Sequence, residues 1–307
     1  MASPLEYVCV GTVIIDDIVF PDGQTRMGIL GGGSTHAAAG MLVWGRRPGL
    51  FSYIGSDLPE PVRQRLERDF DSQGFIPVDR PQIRAWQLFE WDGKRTEIFR
   101  MDDPDFFLVG PPADALPSAY LPAKGVHLPD DATRIPLWRA AFPNATIMWE
   151  PPPPYMIPSN RQHFRQTAPT ADIVSPNLLE ARTLYGVDDP VTLMRLMLDD
   201  GARIAALRMG EEGSLVGKQG CDEVLALPAV PVPQVVDHTG AGNAYCGGFV
   251  VGWVETGDLR TAACYAGVSA SFTVEVIGVP EMPPNLEEAR QQRYQWLRAQ
   301  VRNEKLP

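Results

Sequence analysis

The stretch Asp237-His238-Thr239-Gly240-Ala241-Gly242-Asn243-Ala244-Tyr245-Cys246-Gly247-Gly248 reads as a strand end, a turn of small residues and the opening of a helix. Gly240 and Gly242 permit backbone angles closed to other residues. They let peptide N–H groups crowd at a helix N-terminus, where an anion such as phosphate is held without a basic side chain. Gly247 and Gly248 let the apolar helix that follows, as far as Trp253, pack closely on a sheet.

Outward from this turn, apolar runs alternate with helical patterns. Tyr7 to Val13 is a buried first strand, with Asp16 and Asp17 at its C-terminal end. Pro21-Asp22-Gly23 turns a hairpin-like excursion over 18–30, and Ser34 to Trp44 is an alanine-rich helix after three glycines. Leu50 to Ile54 is a strand, and Asp57 stands where a cap precedes the helix Val62 to Phe70. From Ile83 to Arg100 the pattern becomes an antiparallel hairpin about Asp92-Gly93. Strands near 125–128, 146–149, 172–175 and 204–209 then alternate with helices. Such alternation predicts an α/β fold, a doubly wound and mostly parallel sheet in an αβα sandwich, with ligands beyond the strand C-termini. The segments 18–30 and 83–100 are expected to form a small β lid on a single domain spanning 1–307. The four prolines after Glu150 exclude helix and central strand and read as a rigid crossing loop. Asn285 and Glu288 form a capping box for a closing helix that runs to about Arg302.

A net charge of −11 argues against a nucleic-acid polymer or an anionic membrane as partner. The four cysteines, Cys9, Cys221, Cys246 and Cys264, have neither metal nor disulfide spacing, and no run is long enough to span a membrane. A cytoplasmic protein is expected. The four histidines, His36, His127, His163 and His238, show no zinc spacing, and there is no Gly-x-Ser-x-Gly elbow or Walker lysine.

With its neighbours, the Asp237–Gly248 run resembles the signature of the ribokinase-like (PfkB) sugar and nucleoside kinases, and further motifs follow in family order across nearly the whole chain. Asp16, five residues after Gly11, matches the aspartate that holds substrate hydroxyls; on its own it is equally a turn carboxylate. Gly31-Gly32-Gly33 matches the di-glycine motif, with His36 where an asparagine is usual. Gly32, Gly33, His36 and Arg100 are therefore counted with Asp16 as substrate-binding residues, although His36 is equally readable as a buried histidine. Asn177 and Glu180 match an Asn-x-x-Glu motif that orders magnesium, and they also spell a capping box. Arg208, Gly210 and Gly213 match a strand and turn that contact nucleotide phosphates, with arginine replacing a hydroxyl residue. That arginine grips a phosphate or else pairs with a carboxylate and blocks the site. Ser269, in a small-residue helix over 262–271, matches the adenine pocket, and helix packing explains the small residues as well. Asp237 is retained among the cofactor-binding residues.

Gly240, Ala241 and Gly242 supply the anion hole, but Asn243 stands where the family has its catalytic aspartate. An amide takes no proton, and loss of a general base costs about 10²–10⁴-fold. Together with Ile14-Ile15-Asp16-Asp17 and Leu207-Arg208-Met209-Gly210, this asparagine resembles a divergent fungal branch of the family, that of the yeast killer-virus maintenance protein. The resemblance implies phosphoryl transfer from ATP, with Mg2+, to a hydroxyl of a small sugar- or nucleoside-like metabolite, and a homodimer through the lid. Two rival expectations stand beside it: a repurposed non-kinase enzyme on the same fold, and a catalytically silent metabolite- or nucleotide-binding protein.

Overall fold

The computed structural model describes residues 5–91, 95–100 and 105–306. Strand β1 (Tyr7–Val10) is followed by β2 (Ile14–Val19) and β3 (Thr25–Gly31), then helix α1 (Gly33–Leu42), β4 (Gly49–Gly55) and α2 (Glu60–Asp69). Next come β5 (Phe75–Val78), β6 (Arg84–Phe89), β7 (Arg95–Phe99) and the short α3 (Asp105–Val109). The central part runs β8 (Gly125–Leu128), α4 (Ile135–Ala141), β9 (Thr146–Trp149), α5 (Arg161–Thr167), β10 (Ile173–Val174), α6 (Leu178–Tyr185) and α7 (Pro190–Asp199). The chain closes with β11 (Ile204–Arg208), β12 (Ser214–Lys218), β13 (Glu223–Leu227), α8 (Ala241–Thr256), α9 (Leu259–Thr273), α10 (Leu286–Gln300) and β14 (Arg302–Lys305).

Among the described residues ten strands form one sheet, in the order β14-β13-β12-β11-β10-β9-β8-β1-β4-β5. From β11 to β5 every neighbouring pair is parallel, and β12, β13 and β14 add on antiparallel. Two cores cover its faces: one packs α1, α2, α8 and α9, the other α4 to α7. Strand order reverses at β1, between β4 and β8, so a crevice opens at the strand carboxyl ends there. Gly11, Glu150, Ser175 and Arg208 stand at those ends. The second sheet, β3-β2-β6-β7, is the lid. Asp92-Gly93, the expected turn of its second hairpin, lies outside the described residues, but β6 and β7 pair antiparallel as expected.

Close approach of α1 and α8 explains their glycines. A Cβ on Gly40 would lie 2.2 Å from the Ala244 carbonyl oxygen, and one on Gly247 would lie 1.9 Å from that of Ala37. The two backbones therefore touch, and their first turns lie side by side.

Several expectations are corrected. Asp16 and Asp17 lie within β2 of the lid, not at the end of β1, because the chain breaks at Gly11–Val13 and starts a new strand. No strand precedes the Gly240 turn; an irregular connection leads there from β13. Asp57 does not cap α2, whose N-cap is Pro59, but accepts the Gln82 N–H at 2.5 Å. The capping box at Asn285 is not made: its ψ of 24° is not the extended geometry that folds the side chain back. The closing helix ends at Gln300, and the charged, exposed β14 follows as an edge strand without the apolar alternation that announces one.

Candidate functional site

Two glycine turns open the two touching helices. Gly32, with φ 103°, is the N-cap of α1, and a Cβ there would lie 2.2 Å from the Thr12 carbonyl oxygen. Gly240, with φ 77°, is the N-cap of α8, where a Cβ would fall 2.1 Å from the His36 ring. Only glycine serves at either place. His36 is buried, with Nδ1 donating to the Gly32 carbonyl at 2.9 Å, and burial lowers its pKa. The neutral ring is thus a wedge fixing one glycine turn against the other. Ala241 N–H donates to the His238 carbonyl, whereas the N–H groups of Gly242 and Asn243 belong to a first helical turn that has no internal acceptors for them. That turn is the candidate anion cradle, since free N–H groups at a helix start suit an anion.

Beneath it lies a network that sequence reasoning missed, centred on Glu150. Arg208 Nη1 is 2.6 Å from Glu150 Oε1, while Asn243 Nδ2 donates to Oε2 at 2.9 Å and His127 Nε2 lies 2.9 Å from the same oxygen. Burial pushes the Glu150 pKa up, but Arg208, His127 and Asn243 outweigh it and hold the carboxyl down at about 2. Arg208 Nη2 also donates to the Ser175 carbonyl, and Nη1 lies 2.1 Å from where a Cβ on Gly242 would be. The guanidinium is therefore paired with a carboxylate and packed against the cradle. In the sequence, Glu150 was legible only as the residue before a proline loop; its place just past a parallel strand was the available signal.

Asn177 and Glu180 do form the capping box: Asn177 Oδ1 accepts the Glu180 N–H at 2.9 Å, and Glu180 Oε2 accepts the Asn177 N–H at 2.8 Å. Asn177 Nδ2 holds Glu180 Oε1 at 2.7 Å, and Arg208 Nη2 stands 3.8 Å from Glu180 Oε2. With both oxygens occupied and a fixed cation alongside, this pair does not fit a directly coordinated Mg2+. His127, Glu150 and Cys246 bring three ligand-type atoms within 4.8 Å of one another. Glu150 already has Arg208 as its cation, and burial raises the Cys246 thiol pKa, so the trio reads as a hydrogen-bonded core.

The lid faces the cradle. Asp16 is buried, accepts from Gln87 Nε2 at 2.8 Å, and lies so close to Gly31 that a Cβ there would be 1.9 Å from Oδ2. Burial raises its pKa to about 6 against the lowering effect of Gln87. Arg95 of β7 donates to Thr239 Oγ1 at 3.1 Å, and Asp237 Oδ1 accepts the Thr239 N–H at 2.8 Å, so lid and turn are joined.

Other expected site residues do not converge here. Arg100 pairs with Asp17 and covers the Trp86 ring, on the strand face opposite Asp16. Ser269 is a correction: it is fully buried, accepts from Trp44 Nε1 at 2.9 Å and donates to the Gly40 carbonyl at 2.8 Å, packing helices with no atom left for a nucleotide. Gly210 and Gly213 shape the β11–β12 turn, where a Cβ on Gly213 would meet the Leu227 carbonyl at 2.0 Å. Beside that turn, Met209, Glu212 and Trp296 line a groove of about 510 Å³ that none of the cradle residues enters.

Residues 138–286 match the model of the pfkB family carbohydrate kinases. The chain is 27% identical to an uncharacterized protein of Schizosaccharomyces pombe, over 93% of this chain and 89% of that one. It is 29% identical to a cytidine kinase of Thermococcus kodakarensis, over 81% and 88%. Among solved structures, adenosine kinase from Sinorhizobium meliloti superposes with a TM-score of 0.79 at 20% identity, covering 94% of this chain and all of that one. A putative ribokinase II from E. coli in complex with ATP and Mg2+ gives 0.75 at 16% identity, covering 94% and 99%. These last two likenesses establish the ribokinase-like fold.

Proposed function

We propose that this chain, whose residues 138–286 match the pfkB family carbohydrate kinase model, is a ribokinase-like (PfkB) kinase that transfers the terminal phosphoryl group of ATP to a hydroxyl of a small sugar- or nucleoside-like metabolite. One observation carries this reading: two helix N-termini, at Gly32 and Gly240, open side by side at the sheet's switch point, one facing the buried Asp16 and the other offering an anion cradle. Asp16 accepts hydrogen bonds from acceptor hydroxyls, which lie against the bare backbone of Gly32 and Gly33. The Gly242 and Asn243 N–H groups, with the positive end of α8, stabilise charge on the moving phosphoryl. The acceptor oxygen bonds to phosphorus as the bridging P–O bond breaks; ADP leaves and the hydroxyl proton passes to water. In such a loose transition state positioning and electrostatics dominate, so the absent aspartate slows the step without forbidding it. The names of the relatives favour nucleosides as acceptors. Two copies meet through the lid sheet.

The test is turnover of ATP with Mg2+ over a library of nucleosides and sugars, with products identified by mass. A phosphorylated acceptor is expected. Binding of ATP without any such product across the library would sink this reading in favour of a silent binding protein.

A further inference from the structure

The bond between Asn243 and Glu150 fixes an orientation as well as a position. A carboxylate only accepts, so the amide atom facing Glu150 at 2.9 Å is Nδ2, and Oδ1 is the atom turned away. Glu150 is itself immobilised from several elements: His127 on β8, Arg208 on β11 and Asn243 on α8, with Cys246 of α8 close by and Glu180 on α6 behind Arg208. From α1, Gly33 closes the other side; a Cβ there would lie 3.0 Å from Asn243 Nδ2. We propose that Glu150 is the positioning residue of the cradle: it carries the negative charge at this point and holds Asn243 so that Oδ1 accepts the hydrogen bond of the acceptor hydroxyl, orienting it without taking its proton. The nature of that ligand rests on the kinase reading above; the coupling of Glu150 to Asn243 rests on geometry alone.

The arrangement explains why an aspartate at 243 is disfavoured here. It would set a second carboxylate at the 2.9 Å now spanned by a hydrogen bond, and two like charges so close do not both ionise. Asn243→Asp by itself therefore does not restore a proton acceptor at neutral pH. Exchanging the charges does: in Asn243→Asp/Glu150→Gln the introduced carboxylate faces Arg208 and His127 without a rival.

The two variants are compared by following aspartate carboxyl carbons by NMR across pH, and by ATP-dependent phosphoryl transfer. In Asn243→Asp the introduced carboxyl is expected to titrate above about 5, against about 4 for an ordinary aspartate, and transfer at pH 7 is expected not to rise. In the double variant titration returns to the ordinary range or below, and transfer rises by about 10²–10⁴-fold. Equal titration in the two variants overturns the proposal whatever the activity. If the double variant does not fold, an ordinary titration in Asn243→Asp alone is enough to overturn it. Failure of the unaltered protein to bind ATP or sulfate counts against the kinase reading instead, and leaves the titration to judge Glu150.

Discussion

Asp16 is held in its protonated form over part of the acid range, and this has a cost that can be measured. Its folded pKa of about 6 lies above the ordinary 3.8, so between these values the folded chain keeps a proton that the unfolded chain has released. Stability from this group is complete below about pH 4 and is lost as pH rises through 6, by about 3 kcal/mol. Asp16→Asn keeps the bond from Gln87 and removes the buried charge. It is expected to raise the unfolding temperature at pH 8, by the equivalent of about 1–3 kcal/mol, and to give no gain at pH 4. Thermal scans at the two pH values check this; an equal effect at both would show that ionisation is not the cause. Acceptor binding should weaken in the same variant. Asp16, His36 and the glycines were legible as a group because their types and order are unusual. Glu150 and its partners were not, because they reach one point only through four separate strands and helices.

The helices show how one sequence pattern takes two outcomes. Asn177-x-x-Glu180 and Asn285-x-x-Glu288 spell the same capping box, yet only the first is made. Asn177 is extended, with ψ 169°, at the exit of a buried strand; Asn285, with ψ 24°, follows two prolines that bring the chain in already curled. Asn177→Ala is therefore expected to cost about 1 kcal/mol of stability, and Asn285→Ala close to nothing. Urea unfolding of the two variants decides it, and equal losses would refute the assignment. Backbone angles inherited from the preceding segment are what the local pattern lacks. The same gap explains why β14, beyond the expected helix end at about Arg302, was not foreseen: its pairing with β13 comes from a distant hairpin edge and not from its own residues.

At the scale of the whole molecule, alternation of strands and helices gave the layers and the parallel sheet, since each strand has to be buried on both faces by its own crossovers. The lid was legible from the break in that rhythm. It leaves Met27, Trp91 and Ile98 exposed, which supports the proposed pairing of lids between two chains. Sedimentation is expected to give a dimer, and Ile98→Lys a monomer with an unchanged circular dichroism spectrum; a monomeric unaltered protein would remove the dimer from the account. Because Ala37 and Ala244 meet Gly247 and Gly40 backbone to backbone, the proposed ledge for the acceptor and the proposed cradle for the phosphoryl cannot slide past each other. The pair behaves as a gauge of fixed width. Under the proposed function a metabolite would be measured by whether its hydroxyl spans that width, and any adjustment during a turnover would have to be made by the lid.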